Sequence, residues 1–222
     1  MYQIQNKTLK SKFLQLKYGY QEFVMHPSGC LYWPSQNTLL VADVHFGKVE
    51  HFRKNGSALP SQVGLENFKK LNLVLNEFQP KELIFLGDLF HSAQNKDWDR
   101  FTVWVGRQKV KMTLIVGNHD IIPPYRFEDL GIKVLPELVD GDLFLTHHPE
   151  KREGFFNICG HLHPGYRLRG EGRQQLKLSC FYKKPYQLVL PAFGAFTGHF
   201  LIEPEADEDV FVVSEDLVLS IK

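Results

Sequence analysis

Thr38-Leu39-Leu40-Val41-Ala42-Asp43-Val44-His45 decides how this chain is read. A short, unbroken apolar run leads straight into a carboxylate and, two positions on, an imidazole. Such a run reads as a strand buried on both faces, and its end then presents Asp43. The arrangement recurs downstream. Glu82-Leu83-Ile84-Phe85-Leu86 ends at Gly87-Asp88, and Thr113-Leu114-Ile115-Val116 ends at Gly117-Asn118-His119-Asp120. Leu143-Phe144-Leu145 ends at His147, and Phe155-Phe156-Asn157-Ile158-Cys159 ends at Gly160-His161-Leu162-His163.

Helices separate the first of these strands. Pro60 to Phe78 carries Leu65, Phe68, Leu71, Leu75 and Phe78 at helical spacing, with Pro60 suited to a first turn. Asp97 to Lys109 carries Trp98, Phe101 and Val105. Alternating strands and helices call for a parallel sheet. Ahead of it, Phe23 to Trp33 reads as a hairpin around Pro27-Ser28-Gly29. The last third changes character: Leu176–Phe181, Gln187–Leu190, Phe200–Ile202, Val210–Val213 and Leu217–Ile221 are strand-like with no clear helix between them, and an antiparallel sheet is the simplest reading. The sum is an α/β sandwich of two sheets packed face to face with helices outside. A chain of 222 residues fits one domain, 1–222, with strands 176–221 completing the second sheet.

Composition narrows the class. The 43% of hydrophobic residues supplies a sizeable core, and a net charge of +1 argues neither for nor against nucleic acid. Charge is uneven, though. Arg167, Arg169, Arg173, Lys177, Lys183 and Lys184 make a basic stretch, and Glu203 to Asp216 is acidic; both read as solvated surface. Three scattered cysteines give no disulfide framework, which fits a reducing cytoplasm. No apolar run marks a signal peptide or a membrane span.

The polar groups at the strand ends carry the chemistry. C-terminal ends of parallel strands share one crevice, so Asp43, His45, Asp88, Asn118, His147, His161 and His163 can converge there. Carboxylate, carboxamide and imidazole together suit manganese, iron or zinc rather than a thiolate-bound metal. Seven candidate ligands exceed one coordination sphere and imply two divalent ions, a recurrent solution for phosphoester hydrolysis. Any one of these motifs alone would pass for a turn. Five in order, each behind an apolar strand, have no packing explanation.

The five motifs, Asp43-x-His45, Gly87-Asp88, Gly117-Asn118-His119-Asp120, His147 and Gly160-His161-x-His163, resemble those of calcineurin-like metallophosphoesterases. The resemblance implies a four-layer αββα sandwich of two mixed sheets flanked by helices. It also implies roles: Asp43, His45 and His163 on the first metal, Asn118, His147 and His161 on the second, Asp88 bridging both, and His119 catalytic without being a ligand. Manganese is the expected metal. Asp120 either orients the His119 ring or caps a helix. His148 follows a ligand on an extended strand and should point away.

A narrower resemblance covers nearly the whole chain. Asp43-Val44-His45-Phe46-Gly47-Lys48, Phe52-Arg53, Leu86 to Ser92, Gly160 to Gly165 and Leu190 to Gly198 are similar to one bacterial subgroup, the ligase-associated DNA damage response endonucleases. That resemblance implies a DNA substrate, a repair role, and a DNA ligase, a helicase and an exonuclease as partners. Arg53, Lys48, Asn118 and His119 are the candidates to touch substrate phosphate. His91, three residues after Asp88, either reaches the cleft or is a satisfied structural group, the commoner use of a lone histidine; Trp33, Trp98 and Trp104 read as packing residues. Thr197 and the nearby glycines either approach the metals or serve close packing. The other functions this core can serve are a cyclic-nucleotide phosphodiesterase or a small-molecule or protein phosphatase. A non-catalytic scaffold is a third, disfavoured because all eight positions are present.

Overall fold

The apolar runs are buried on both faces and line up side by side. The computed structural model describes residues 12–48, 64–91, 96–195 and 197–221. Strands β1 (Leu14–Tyr18), β2 (Gln21–Met25), β3 (Leu31–Trp33) and β4 (Thr38–Val41) form an antiparallel meander, with the expected hairpin between β2 and β3. From β4 the sheet continues in parallel through β5 (Glu82–Leu86), β6 (Lys111–Ile115) and β7 (Lys133–Leu135). Crossover helices enforce that parallel pairing. These are α1 (Glu66–Phe78) and α2 (Lys96–Val105); the start expected for α1 at Pro60 lies outside the described residues. Helix α1 stops where Gln79 turns left-handed and donates to the Leu75 carbonyl at 2.9 Å, one residue before Pro80.

The second sheet is built from β8 (Leu138–Asp140), β9 (Leu143–Leu145), β10 (Phe156–Cys159), β11 (Pro164–Arg169), β12 (Gln175–Lys184), β13 (Gln187–Val189), β14 (Phe200–Leu201), β15 (Asp209–Val213) and β16 (Val218–Ser220). It is mixed rather than antiparallel. Strand β13 runs parallel to β10 and β14 parallel to β11, whereas β12 pairs antiparallel with β11, β13 and β15.

Strand alternation sorts the core. Leu40, Ile84, Leu86 and Ile115 face Leu145, Ile158, Leu188 and Phe211 across the two sheets. Leu39, Val41, Leu83 and Phe85 point the other way, against Phe68, Leu71 and Val74 of α1, Trp98, Phe101 and Trp104 of α2, and Phe127 of the short α3 (Pro124–Glu128). The three tryptophans are core residues, as expected. The expected α/β sandwich of two mixed sheets is therefore present. On the outer face of the second sheet, among the described residues, no helix lies over Cys180, Tyr182, Val189 and Val212; Ile202 packs there instead. Cys30, Cys159 and Cys180 are buried and unpaired. No described helix is long and apolar enough to cross a membrane.

Candidate metal centre

The ends of β4, β5, β6, β9 and β10 meet in one place. The loops that leave β4 and β5 are zipped together by backbone hydrogen bonds: Asp43 N–H to the Gly87 carbonyl at 3.2 Å, His45 N–H to Asp88 at 3.0 Å, and Phe46 N–H to Leu89 at 2.8 Å. Segment 192–194 lies along the other side, with Phe193 N–H donating to Ala42 and Gly194 N–H to Asp43. The loops cross-link through side chains as well. Asp88 Oδ1 accepts from His119 N–H and Asp43 Oδ2 from His161 N–H, each at 2.9 Å.

Three overlapping clusters result, each with candidate ligand atoms within 4.8 Å of one another. Asp43, His45 and His163 form one pole. His147, His148 and His161 form the other. Asp43, Asp88 and His147 join them. The sequence-predicted ligands thus come together, with Asn118 Oδ1 3.1 Å from His147 Nε2. Arg53 lies outside the described residues.

The donor set can be tested for a cation. Asp43 and Asp88 are 0% and 2% exposed, and buried carboxylates persist only with positive partners. Asp43 Oδ1 accepts no hydrogen bond. His147 Nδ1 sits 2.9 Å from the Leu86 carbonyl, which can only accept, so Nδ1 carries a proton and Nε2 is the ring atom turned to the cluster. That Nε2 faces Asp88 Oδ1 at 3.3 Å and Asn118 Oδ1 at 3.1 Å. His161 Nδ1 approaches the same nitrogen at 3.2 Å, so carboxylate, carboxamide and two imidazoles converge as the ligands of a divalent ion would. At the other pole, His163 Nε2 is 3.2 Å from both Asp43 Oδ1 and His45 Nε2. Burial, then Lys48 and the neighbouring imidazoles, push His45 down to about 2, so its ring is neutral and free to ligate. Burial, then His148 and His147, also lower His161. The residues fit divalent ions of the borderline class.

Backbone geometry sets this region apart. Asp43, His45, Asp88, His161 and His163 have φ of 55°, 51°, 49°, 70° and 49°. Left-handed backbone costs a non-glycine residue on the order of 1–3 kcal/mol and gathers at functional sites. The chain bends sharply after β4, β5 and β10 so that the side chains there turn inward. Glycines make the necessary room. A Cβ on Gly87 would collide with the His147 ring, and one on Gly117 with the Asp88 amide and carboxylate. Gly194 serves close packing too, against the Val44 and Asp43 carbonyls, whereas Gly198 faces open space. The Thr197 hydroxyl is buried without a hydrogen-bond partner among the described residues.

Two residues differ from their sequence reading, and His91 takes the first of its two. His148 does not point away, because β9 has already ended at Leu145; its ring centroid is 4.2 Å from that of His161. His91 is at the site, 5.5 Å from His45 and 5.3 Å from His119 between ring centroids. Asp120 neither orients His119 nor caps a helix. Its carboxylate accepts from Leu89 and Phe90 N–H at 2.8 and 3.1 Å and from Gly117 N–H at 2.9 Å, locking the β5 loop to the β6 loop. Burial pushes the Asp120 pKa up to about 6 against the lowering effect of those bonds. Lys48 is close enough for Asp43 and Asp88 to oppose the lowering that burial imposes on it.

Asp120→Ala would leave buried amide donors without an acceptor, at a cost of about 2–4 kcal/mol. Asp120→Asn should lose nearly as much, since one carboxamide end would present its NH2 to a backbone N–H. Denaturant unfolding measures this; a loss under about 1 kcal/mol in both variants would mean the loops are held otherwise.

Acidic and imidazole side chains gathered at strand ends of a two-sheet sandwich define a metal-dependent hydrolase of phosphoester bonds. Residues 37–215 match the model of the calcineurin-like phosphoesterases, and the chain belongs to that family, whose members use two metal ions. Among solved structures, the nuclease MPE of Pseudomonas putida matches with a TM-score of 0.79 and 29% identity, over 94% of this chain and 100% of that one. A protein of unknown function from Aquifex aeolicus, AQ665, overlaps more loosely, with a TM-score of 0.43 and 17% identity over 61% of this chain and 82% of that one. No curated protein matches the sequence.

Proposed function

We propose that the protein hydrolyses phosphodiester bonds in DNA, as a repair-associated endonuclease that works in the cytoplasm with two divalent ions, manganese foremost. The two-pole cluster of Asp43, His45, His163 and Asp88, His147, His161, Asn118 is the observation that carries the reading. Likeness to a nuclease along nearly the whole chain supports the choice of substrate. The repair setting, with a ligase, a helicase and an exonuclease as companions, follows from the subgroup resemblance of the sequence.

Two ions bound at the poles would supply Lewis acidity toward water and the phosphoryl oxygens. The chain's own groups do the rest. Asp43, His45 and His163 would hold one ion and Asn118, His147 and His161 the other, with Asp88 shared between them. His119, exposed and pinned by its N–H to Asp88, offers its ring to the departing oxygen as proton donor. Asn118 and His119 face the scissile phosphate, with Arg53 a further candidate.

Loaded and dialysed protein should contain about two ions per chain, and chelation should abolish turnover. A fully active enzyme with a single ion would refute the two-ion centre. A panel of single- and double-stranded DNA, RNA, cyclic nucleotides and an aryl phosphodiester tests the substrate. Efficient hydrolysis of cyclic nucleotides with DNA ignored would replace the repair reading by a cyclic-nucleotide phosphodiesterase.

A further inference from the structure

The basic stretch of the sequence divides in the fold. Lys183 and Lys184 are neutralised by the acidic stretch, through Asp209 at 2.7 Å and Glu208 at 3.2 Å. Arg167, Arg169 and Lys177 are exposed and make no ion pair among the described residues. They lie on the hairpin of β11 and β12, where Gly165 is opposite Ser179, Arg167 opposite Lys177, and Arg169 opposite Gln175. Residues two apart, and residues directly opposite, share a face of an antiparallel ladder. One face therefore carries Ser179, Arg167, Lys177, Arg169 and Gln175. The other carries Tyr166, Leu168, Leu176 and Leu178, of which Tyr166 and Leu178 pack on the outer core of the second sheet.

The polar face begins at the metal centre. Strand β11 starts one residue after His163. His199 lies over Gly165, whose missing side chain makes the room: a Cβ there would stand 2.6 Å from His199 Cβ. His199 Nε2 is 2.9 Å from Ser179 Oγ, and the next residue, Phe200, donates its N–H to the His163 carbonyl at 3.0 Å. Burial, then His163 and Lys177, lower the His199 pKa. At a rise of ~3.4 Å per residue, Gly165 to Arg169 spans about 14 Å. The other basic groove, lined by Lys81, Lys109 and Lys111, sits at the starts of β5 and β6, the far end from the ligands.

We infer that the face formed by His199, Ser179, Arg167, Lys177 and Arg169 is a track for a single nucleic-acid strand, receiving the phosphates that flank the bond held at the metal centre. This rests on the DNA reading and specifies how the strand is held. Cations spaced along a ladder beside a hydrolytic centre suit a polyanionic chain rather than a compact phosphate ester. The second sheet then has two duties, supplying His147, His161 and His163 and guiding the substrate to them.

Arg167→Gln with Lys177→Gln tests this; both side chains are on the surface, and the backbone ladder is untouched. Each phosphate contact on a single strand contributes about 0.7 to the slope of log affinity against log salt, so the double variant should lower that slope by about 1.4. KM for single-stranded oligonucleotides should rise several-fold, and the ratio of oligonucleotide to aryl-diester turnover should fall. His199→Ala should lower the same ratio. Lys183→Gln, paired and off the track, should change neither. In wild type, KM should fall with oligonucleotide length and level off once the strand covers the hairpin. If wild type cleaves DNA but the double variant keeps its salt slope and KM, or if both substrates suffer equally, the track is refuted while the DNA reading stands. A wild-type enzyme that cleaves no polynucleotide overturns the DNA reading and the track with it.

Discussion

Asp88→Asn is expected to lose metal and activity together. The carboxylate is buried where the two poles meet, within reach of His147 and Asp43, and its charge is what offsets cations there. Asparagine keeps an oxygen for the His119 N–H, so the turn should survive and the change is one of charge. Removing a partner of a ligand commonly costs metal affinity about 10–100-fold; loss of a group between two ions should exceed that. Elemental analysis of the dialysed variant, beside its turnover with manganese in excess, reads both effects. Two ions retained per chain would show that Asp88 does not bridge.

His119→Ala should fail differently, with turnover down by about 10²–10⁴ and metal content kept. Its ring belongs to none of the three ligand clusters, and its contact with Asp88 is made through the backbone, which alanine preserves. The loss should also depend on the leaving group. A DNA 3′- or 5′-alkoxide needs a proton as it departs, whereas an acidic phenol leaves without one. The defect should therefore be largest on DNA and small on an activated aryl diester. Metal loss matching that of Asp88→Asn would show that His119 is a ligand.

The residues that converge on the candidate centre can be read from the sequence because each follows an apolar run, and such runs belong to strands buried on both sides. Strands β4, β5 and β6 could be read for the same reason. The misreadings share a different cause. His148 was placed by strand alternation, but the strand stops two residues before His147, and only the fold shows that turn. Asp120 stands beside the catalytic candidate in sequence, yet two of its three amide partners come from a loop some thirty residues earlier. The parallel pairings of β13 with β10 and β14 with β11 join segments far apart in the chain, where local pattern carries no information. Strand β11 was legible in principle: Tyr166-Arg167-Leu168-Arg169 alternates apolar and charged, a period-two signal outweighed by its basic charge. The acidic stretch was read as solvated surface, but the register that sets Lys183 opposite Asp209 uses part of it to neutralise neighbouring lysines.

The left-handed turns at Asp43, His45, Asp88, His161 and His163 bear on what mutation would do to this chain over time. Glycine adopts that backbone freely, and asparagine and aspartate tolerate it better than most. Exchange of these five residues for glycine would relieve local strain even as it removed the candidate ligands. Loss of catalysis is thus partly downhill in folding free energy, and a descendant that needed only the shape of the sandwich would reach it without first becoming unstable. The intact motifs mark a chain that has not slid down that slope.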